Sequence, residues 1–152
     1  MNRSPLSLER YFFSRLVLEA HAVTGELMDN GIQTELKVSQ SATEPKLFQL
    51  LLQLQVMPPK TGQPAYTGEF HAVGFFRVAD DWPEAQVLKL VQSDGAAILY
   101  GTIREMITNL TSRGPWPALV LPSVNFIPVE AGKPEAIAAA RKTKPSRRTI
   151  KV

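Results

Sequence analysis

The sequence predicts an α+β chain: four strands of an antiparallel sheet, then one long helix. Up to residue 78, apolar residues recur at every second position in runs separated by short turn signals. From Ser93 to Arg113 the recurrence lengthens to three and four. The links between the alternating runs are too short for parallel crossovers, which need a dozen residues or more. At 152 residues, with 44% apolar and 20% charged side chains, the chain suits a single globular domain.

The first strand is expected within Leu6–Glu19, where alternation breaks at Phe12-Phe13 as at a bulge. Residues 32–38 set Ile32, Thr34, Leu36 and Val38 on one face and Gln33, Glu35 and Lys37 on the other. Residues 47–57 repeat the pattern with Phe48, Leu50, Leu52, Leu54 and Val56, and residues 66–78 with Tyr66, Phe70, Ala72, Phe76 and Val78. Gly68 and Gly74 share that last face, a flat strip against which another element can pack closely. Asp29-Asn30-Gly31, Thr43-Glu44-Pro45 and Pro58–Gly62 supply the turns.

The helix is expected to start at Ser93 or Asp94 as its cap and to stop at Gly114-Pro115. Its apolar face carries Ala96, Leu99, Tyr100, Ile103, Met106, Ile107 and Leu110. Before it, Asp80–Pro83 opens a crossover in which Glu84–Val91 forms a short helical turn. After it, residues 115–134 hold five prolines among Trp116, Leu119, Val120, Leu121, Val124, Phe126 and Ile127. Proline forbids a regular helix or a central strand there, so an extended apolar loop must lie against something. The alanine-rich stretch Pro134–Lys142 is expected to form a short C-terminal helix. The chain therefore divides into a body, residues 1–135, and a basic, flexible tail, residues 136–152.

The formal charge of +3 belongs to that tail, which carries Arg141, Lys142, Lys144, Arg147, Arg148 and Lys151 and no acidic residue. Without it, eleven basic residues face fourteen acidic ones. Such a tail suits either a solvated terminus or contact with nucleic acid. The absence of cysteine excludes disulfides, thiolate metal sites and cysteine nucleophiles, and two histidines cannot build a histidine-rich metal cage. No signal peptide and no bilayer-spanning apolar run is present, so a cytoplasmic protein without membrane insertion is expected. Glu69 and His71, two apart on a strand, form a conceivable acid–base pair, and Asp80, Asp81 and Glu84 a conceivable cation cluster. Both patterns are more common as solvated surface charge, and no nucleophile or phosphate loop accompanies them. Trp82 and Trp116, in proline-bounded apolar loops, instead suit a groove for an extended apolar peptide.

The segment 98–114, Ile-Leu-Tyr-Gly-Thr-Ile-Arg-Glu-Met-Ile-Thr-Asn-Leu-Thr-Ser-Arg-Gly, resembles the long helix of the protein-export chaperone family SecB. The following Trp116-Pro117, Leu119, Leu121 and Val124-Asn125-Phe126 are similar to that family's loop, and the resemblance extends over about residues 6–130. It implies a four-stranded sheet packed on the helix, a homotetramer built as a dimer of dimers, and an ATP-independent holdase for unfolded polypeptides, possessing no enzyme activity, cofactor or metal. It further implies a client groove formed by Ile32, Leu36, Val38, Trp82, Trp116, Leu119, Leu121, Val124 and Phe126. Glu19 and Glu69 match the acidic face that the family presents to its motor ATPase, SecA. Arg15 stands where that face usually has an aspartate, and Thr67 where it has a leucine, which opposes such docking. Two rival functions follow: a dedicated chaperone of one client, such as an antitoxin, and a nucleic-acid-binding scaffold acting through residues 141–151.

Overall fold

In the computed structural model, which describes residues 1–127 and 138–141, β1 (Leu6–Ala20), β2 (Gly31–Gln40), β3 (Leu47–Met57) and β4 (Tyr66–Val78) follow the four alternating runs. All pairings are antiparallel, and the order across the sheet is β1-β4-β3-β2, with a fifth strand, β5 (Ala138–Arg141), outside β2. The β1–β4 register slips between Leu8 and Arg10 and again between Phe13 and Arg15. The second slip accounts for the broken alternation at Phe12-Phe13. Each extra residue returns the next side chains to their proper face, so Leu6, Leu8, Phe13 and Leu18 all join the core.

The buried face of the sheet carries Phe48, Leu50, Leu52, Leu54, Phe70, Ala72 and Phe76, and the helix covers it with Val91, Leu99, Ile103 and Ile107. Gly74 shows why the fourth strand needs a glycine: a Cβ there would lie 2.8 Å from Leu99 and 2.7 Å from the Phe76 ring. Gly74 therefore receives the helix, whereas a Cβ at Gly68 would collide with the Val17 carbonyl of β1 and the Phe70 ring.

The helix begins earlier than its apparent cap. α1 (Glu84–Leu90) starts directly after Pro83, passes through one π-helical turn (Val91–Gly95), and continues as α2 (Ala96–Thr111). Ser93 and Asp94 lie inside it, where the Ser93 hydroxyl donates to the Lys89 carbonyl at 2.9 Å instead of capping an end. The buried positions run Val87, Val91, Gly95, Ala96, Leu99, Tyr100, Ile103, Ile107 and Thr111, and a Cβ at Gly95 would lie 2.8 Å from Leu50 of the sheet. Steps of four, from Val87 through Gly95 to Thr111, drift round a 3.6-residue helix, and the one wide turn offsets part of that drift. Gly114 marks the stop as expected, but by close packing: a Cβ there would collide with the Tyr66 hydroxyl.

The C-terminal helix is not formed where the chain is described. Ala138–Arg141 is a strand paired with β2, and the remainder of the alanine-rich stretch and the basic tail lie outside the described residues. So short a segment cannot repay helix nucleation, whereas the β2 edge offers ready-made backbone partners.

Candidate functional site

Threonine and tyrosine side chains of α2 and β4 fix the proline-rich loop after the helix. The Tyr66 hydroxyl donates to the Thr111 carbonyl at 3.1 Å and accepts from the Trp116 amide at 3.2 Å. The Thr111 hydroxyl accepts from the Leu119 amide at 2.8 Å while donating to the Ile107 carbonyl at 2.7 Å. Further back along the helix, the Tyr100 hydroxyl donates to the Pro122 carbonyl at 2.6 Å, and its ring meets Phe126 edge-on at 5.8 Å. Burial pushes the Tyr100 phenol up to about 12, so it stays a neutral donor. The loop thus runs back along α2, and its prolines leave few amides to satisfy.

This anchoring divides the loop into two rows. Leu119 and Phe126 are half-buried against the core, and Leu121 is fully buried within it. Val120, Val124 and Ile127 turn outward, 52%, 41% and 84% exposed. An exposed apolar row on a braced backbone is a contact surface whose ordering cost is already met. Val120 and Ile127 were absent from the groove implied by the sequence. The signal for them was the alternation of aliphatics between the prolines.

Trp82 and Trp116 are at opposite ends of the molecule. Trp116 Nε1 donates to the His21 carbonyl at 2.7 Å, beyond the end of β1, whereas Trp82 follows β4 at the other end and leads into the helix. At 1.5 Å per residue, the helix over 84–111 places about 40 Å between those ends. Trp82 is half-buried against the core, its indole N–H is buried without an acceptor, and it lines an open recess of about 370 Å³ with Gln86, Lys89, Leu90 and Ser93. On β2, Ile32 and Leu36 are partly buried against the core, and Val38 belongs to it.

The opposite face of the sheet is mixed in charge. Glu69 accepts from His71 Nε2 at 2.6 Å and from Arg15 Nε at 3.0 Å, and these two contacts, His71 first, hold its carboxyl below the usual carboxylate range. Glu19 is exposed opposite Thr67 in the β1–β4 register, and both line a shallow recess of about 220 Å³ with Val17, Met57 and Glu69. Beside these charges lie Phe12 and Phe75, with ring centres 6.3 Å apart, and the Arg10 guanidinium over the Phe12 ring. Glu69 and His71 do meet, as their spacing required, but Arg15 takes the second carboxylate oxygen. Asp80, Asp81 and Glu84 form no metal-binding group: among the described residues there is no cluster of three or more metal-ligating side chains, and Glu84 pairs with Lys46 at 3.1 Å. No helix among these residues is long and apolar enough to cross a membrane.

Known proteins resemble this chain over most of its length. The family model described as preprotein translocase subunit SecB matches residues 3–130. The protein-export protein SecB of Psychrobacter arcticus is 28% identical over 125 residues, covering 80% of this chain and 82% of that one. SecB 1 of Francisella tularensis subsp. novicida is 33% identical over 96 residues, 62% of this chain and 64% of its own. Among solved structures, the SecB-like chaperone of Mycobacterium tuberculosis, in complex with a ChAD peptide from the HigA1 antitoxin, aligns with a TM-score of 0.60 at 18% identity. That alignment covers 79% of this chain and 88% of that one.

Proposed function

The chain belongs to the SecB family, and from that premise we propose that it is a chaperone whose holding surface is the outward row of the proline-rich loop. The single observation that carries this reading is Val120, Val124 and Ile127 standing exposed on a backbone pinned to α2. An extended unfolded segment laid on that row buries apolar area without needing a particular sequence. In this reading the surface extends to Leu119, Phe126, Ile32 and Leu36, which pack against the core that holds Val38 and Leu121. Trp82, about a helix length from Trp116, forms a separate contact point on the same client. Burying one Val or Ile side chain contributes about 1.5–3 kcal/mol, so firm holding needs several such sites on one long chain.

In this reading the protein acts in the cytoplasm without ATP, metal or enzymatic chemistry. It works as a homotetramer, its body 1–135 carrying the function and its basic tail 136–152 an accessory. The neutralised sheet face favours a dedicated client over motor-coupled export: Arg15 and His71 occupy the Glu69 carboxylate, and a cationic partner finds little net negative charge there. The chaperone whose fold this chain shares was solved with an antitoxin peptide, which suits the same reading. Light scattering after size exclusion, with and without a permanently unfolded polypeptide, tests it. The expected result is a mass near four chains that grows by one client, and about a tenfold loss of client affinity in Val120→Ser/Val124→Ser at unchanged folded content. A protein that leaves the client to aggregate overturns it. Retained binding by the double variant moves the surface elsewhere.

A further inference from the structure

A polar group shut away from water needs a partner inside the fold, and one donor near the start of the helix lacks it. Among the described residues, Trp82 Nε1 is the only fully buried side-chain nitrogen or oxygen without a hydrogen bond. An indole N–H only donates, so whatever completes this site must bring an acceptor. The Trp82 side chain packs against the core and forms one wall of the open recess of about 370 Å³. Gln86, Lys89, Leu90 and Ser93 form the others, and their spacing of i, i+3, i+4 and i+7 sets them on one face of the helix.

The chemistry of these walls is one-sided. Lys89 is the only charged residue lining the recess, and among the described residues it makes no ion pair. Nearby carboxylates are engaged or set apart. Glu84 pairs with Lys46 at 3.1 Å, Asp94 accepts from the Ser93 hydroxyl at 3.0 Å, and Asp80 and Asp81 precede the indole without lining the recess. An ammonium, an indole N–H and a primary amide thus stand beside Leu90 and the indole ring. A carboxylate, which only accepts, complements all three donors, and a bulky apolar neighbour complements the leucine and the ring.

We propose that this recess is a client subsite that selects an acidic side chain, Glu or Asp, next to a large apolar residue. The proposal rests on the chaperone reading above and gives one contact point a chemical preference that apolar burial lacks. Because the recess is open, a chain can pass across it, which favours the carboxylates along a client over its single C-terminus. The two donors act differently. The Trp82 N–H needs an acceptor of any charge, whereas Lys89 tells a carboxylate from an amide, so substitution separates their contributions.

Three fluorescein-labelled peptides test this by anisotropy at low ionic strength: Gly-Ser-Leu-Xaa-Phe-Ser-Gly, amidated at the C-terminus, with Glu, Gln or Met in place of Xaa. The wild type is expected to bind the Glu peptide about three- to fivefold more tightly than the Gln peptide. It should bind the Gln peptide about threefold more tightly than the Met peptide. Lys89→Met removes the first step and keeps the second. Trp82→Phe, which keeps a ring without the N–H, removes the second, and added salt weakens the first alone. Lys89 is exposed on the helix, so its variant reports even if Trp82→Phe fails to fold. Equal affinity of the wild type for the Glu and Gln peptides overturns the proposal, as does a Glu preference that survives Lys89→Met. It also falls if a Met peptide ending at Phe with a free carboxylate matches the Glu peptide, since the recess then takes chain ends. Binding of reduced, carboxyamidomethylated α-lactalbumin by the wild type preserves the chaperone reading through any of these failures. If the wild type binds neither that chain nor the peptides, both fall.

Discussion

Asn30 sits in an Asp-Asn-Gly sequence that reads as a turn, yet its side chain performs a long-range task. Its Nδ2 donates to the Met57 carbonyl and to the Tyr66 carbonyl, each at 2.8 Å, and so ties the end of β3 to the start of β4. Asn30→Ala leaves both carbonyls short of a donor in a site only 6% exposed, and should cost about 1–3 kcal/mol by urea unfolding. Composition cannot reveal this, because a turn asparagine and a clamping one are spelled alike. Glu69 shows the converse: its His71 partner was legible in sequence, but neither its Arg15 partner nor its protonation was. A carboxyl held below its ordinary value of 4.5 stabilises the fold fully above that pH and loses the contribution as pH falls toward its lowered value. Glu69→Gln should therefore unfold more readily than wild type at pH 6, and the gap should close as urea midpoints are taken down from pH 4.5. A gap that persists below that range would mean that shape, not charge, binds Arg15 and His71 together.

At the scale of elements, strand boundaries were legible because burial on one face imposes a period of two, and a slip of one residue would turn every apolar side chain to water. β3 and β4 begin and end where alternation does. The start of the helix was not legible. Ser93-Asp94 has the spelling of a cap, and a glycine at the buried position 95 conceals that α1 and α2 are one continuous helix. Proline separates the two arrangements: at the first position of a helix it is tolerated, but in the interior it removes a hydrogen bond and clashes with the preceding turn. Asp94→Pro should thus cost about 3 kcal/mol or more, with loss of helical circular dichroism, whereas a helix capped at Ser93 would accept it almost unchanged. The candidate loop was half legible. Its prolines and aliphatics announced a braced apolar segment, but which side chains face outward depends on the Thr111 and Tyr100 anchors, which lie on another element. Hence Leu121 proved to be core and Val120 surface.

For the molecule as a whole, local patterns gave no account of distance. The two tryptophans looked like neighbours in function because they share a context, and the length of the helix sets them apart. The same helix leaves one strip of the sheet unfinished. β1 is an edge strand fifteen residues long, and on its helix-side face Tyr11 and Leu16 are 49% and 42% exposed, opposite Gly74 and Phe70 of β4. Ile98 of α2 is 38% exposed as well. Native sheets rarely leave so long an apolar edge open to water, since it invites pairing with other chains. Self-association through this strip, as the proposed tetramer would need, would cover the edge and the aliphatics together and leave the outward row of Val120, Val124 and Ile127 free for a client. A carboxylate at the centre of the strip must either keep its water or be buried unpaired, so Leu16→Glu should lower the light-scattering mass by at least one step of assembly. The substituted position is already 42% exposed in the single chain, so stability of the isolated subunit should change little. A variant that retains the full wild-type mass would place the subunit contacts away from β1, and the open edge would then need another cover.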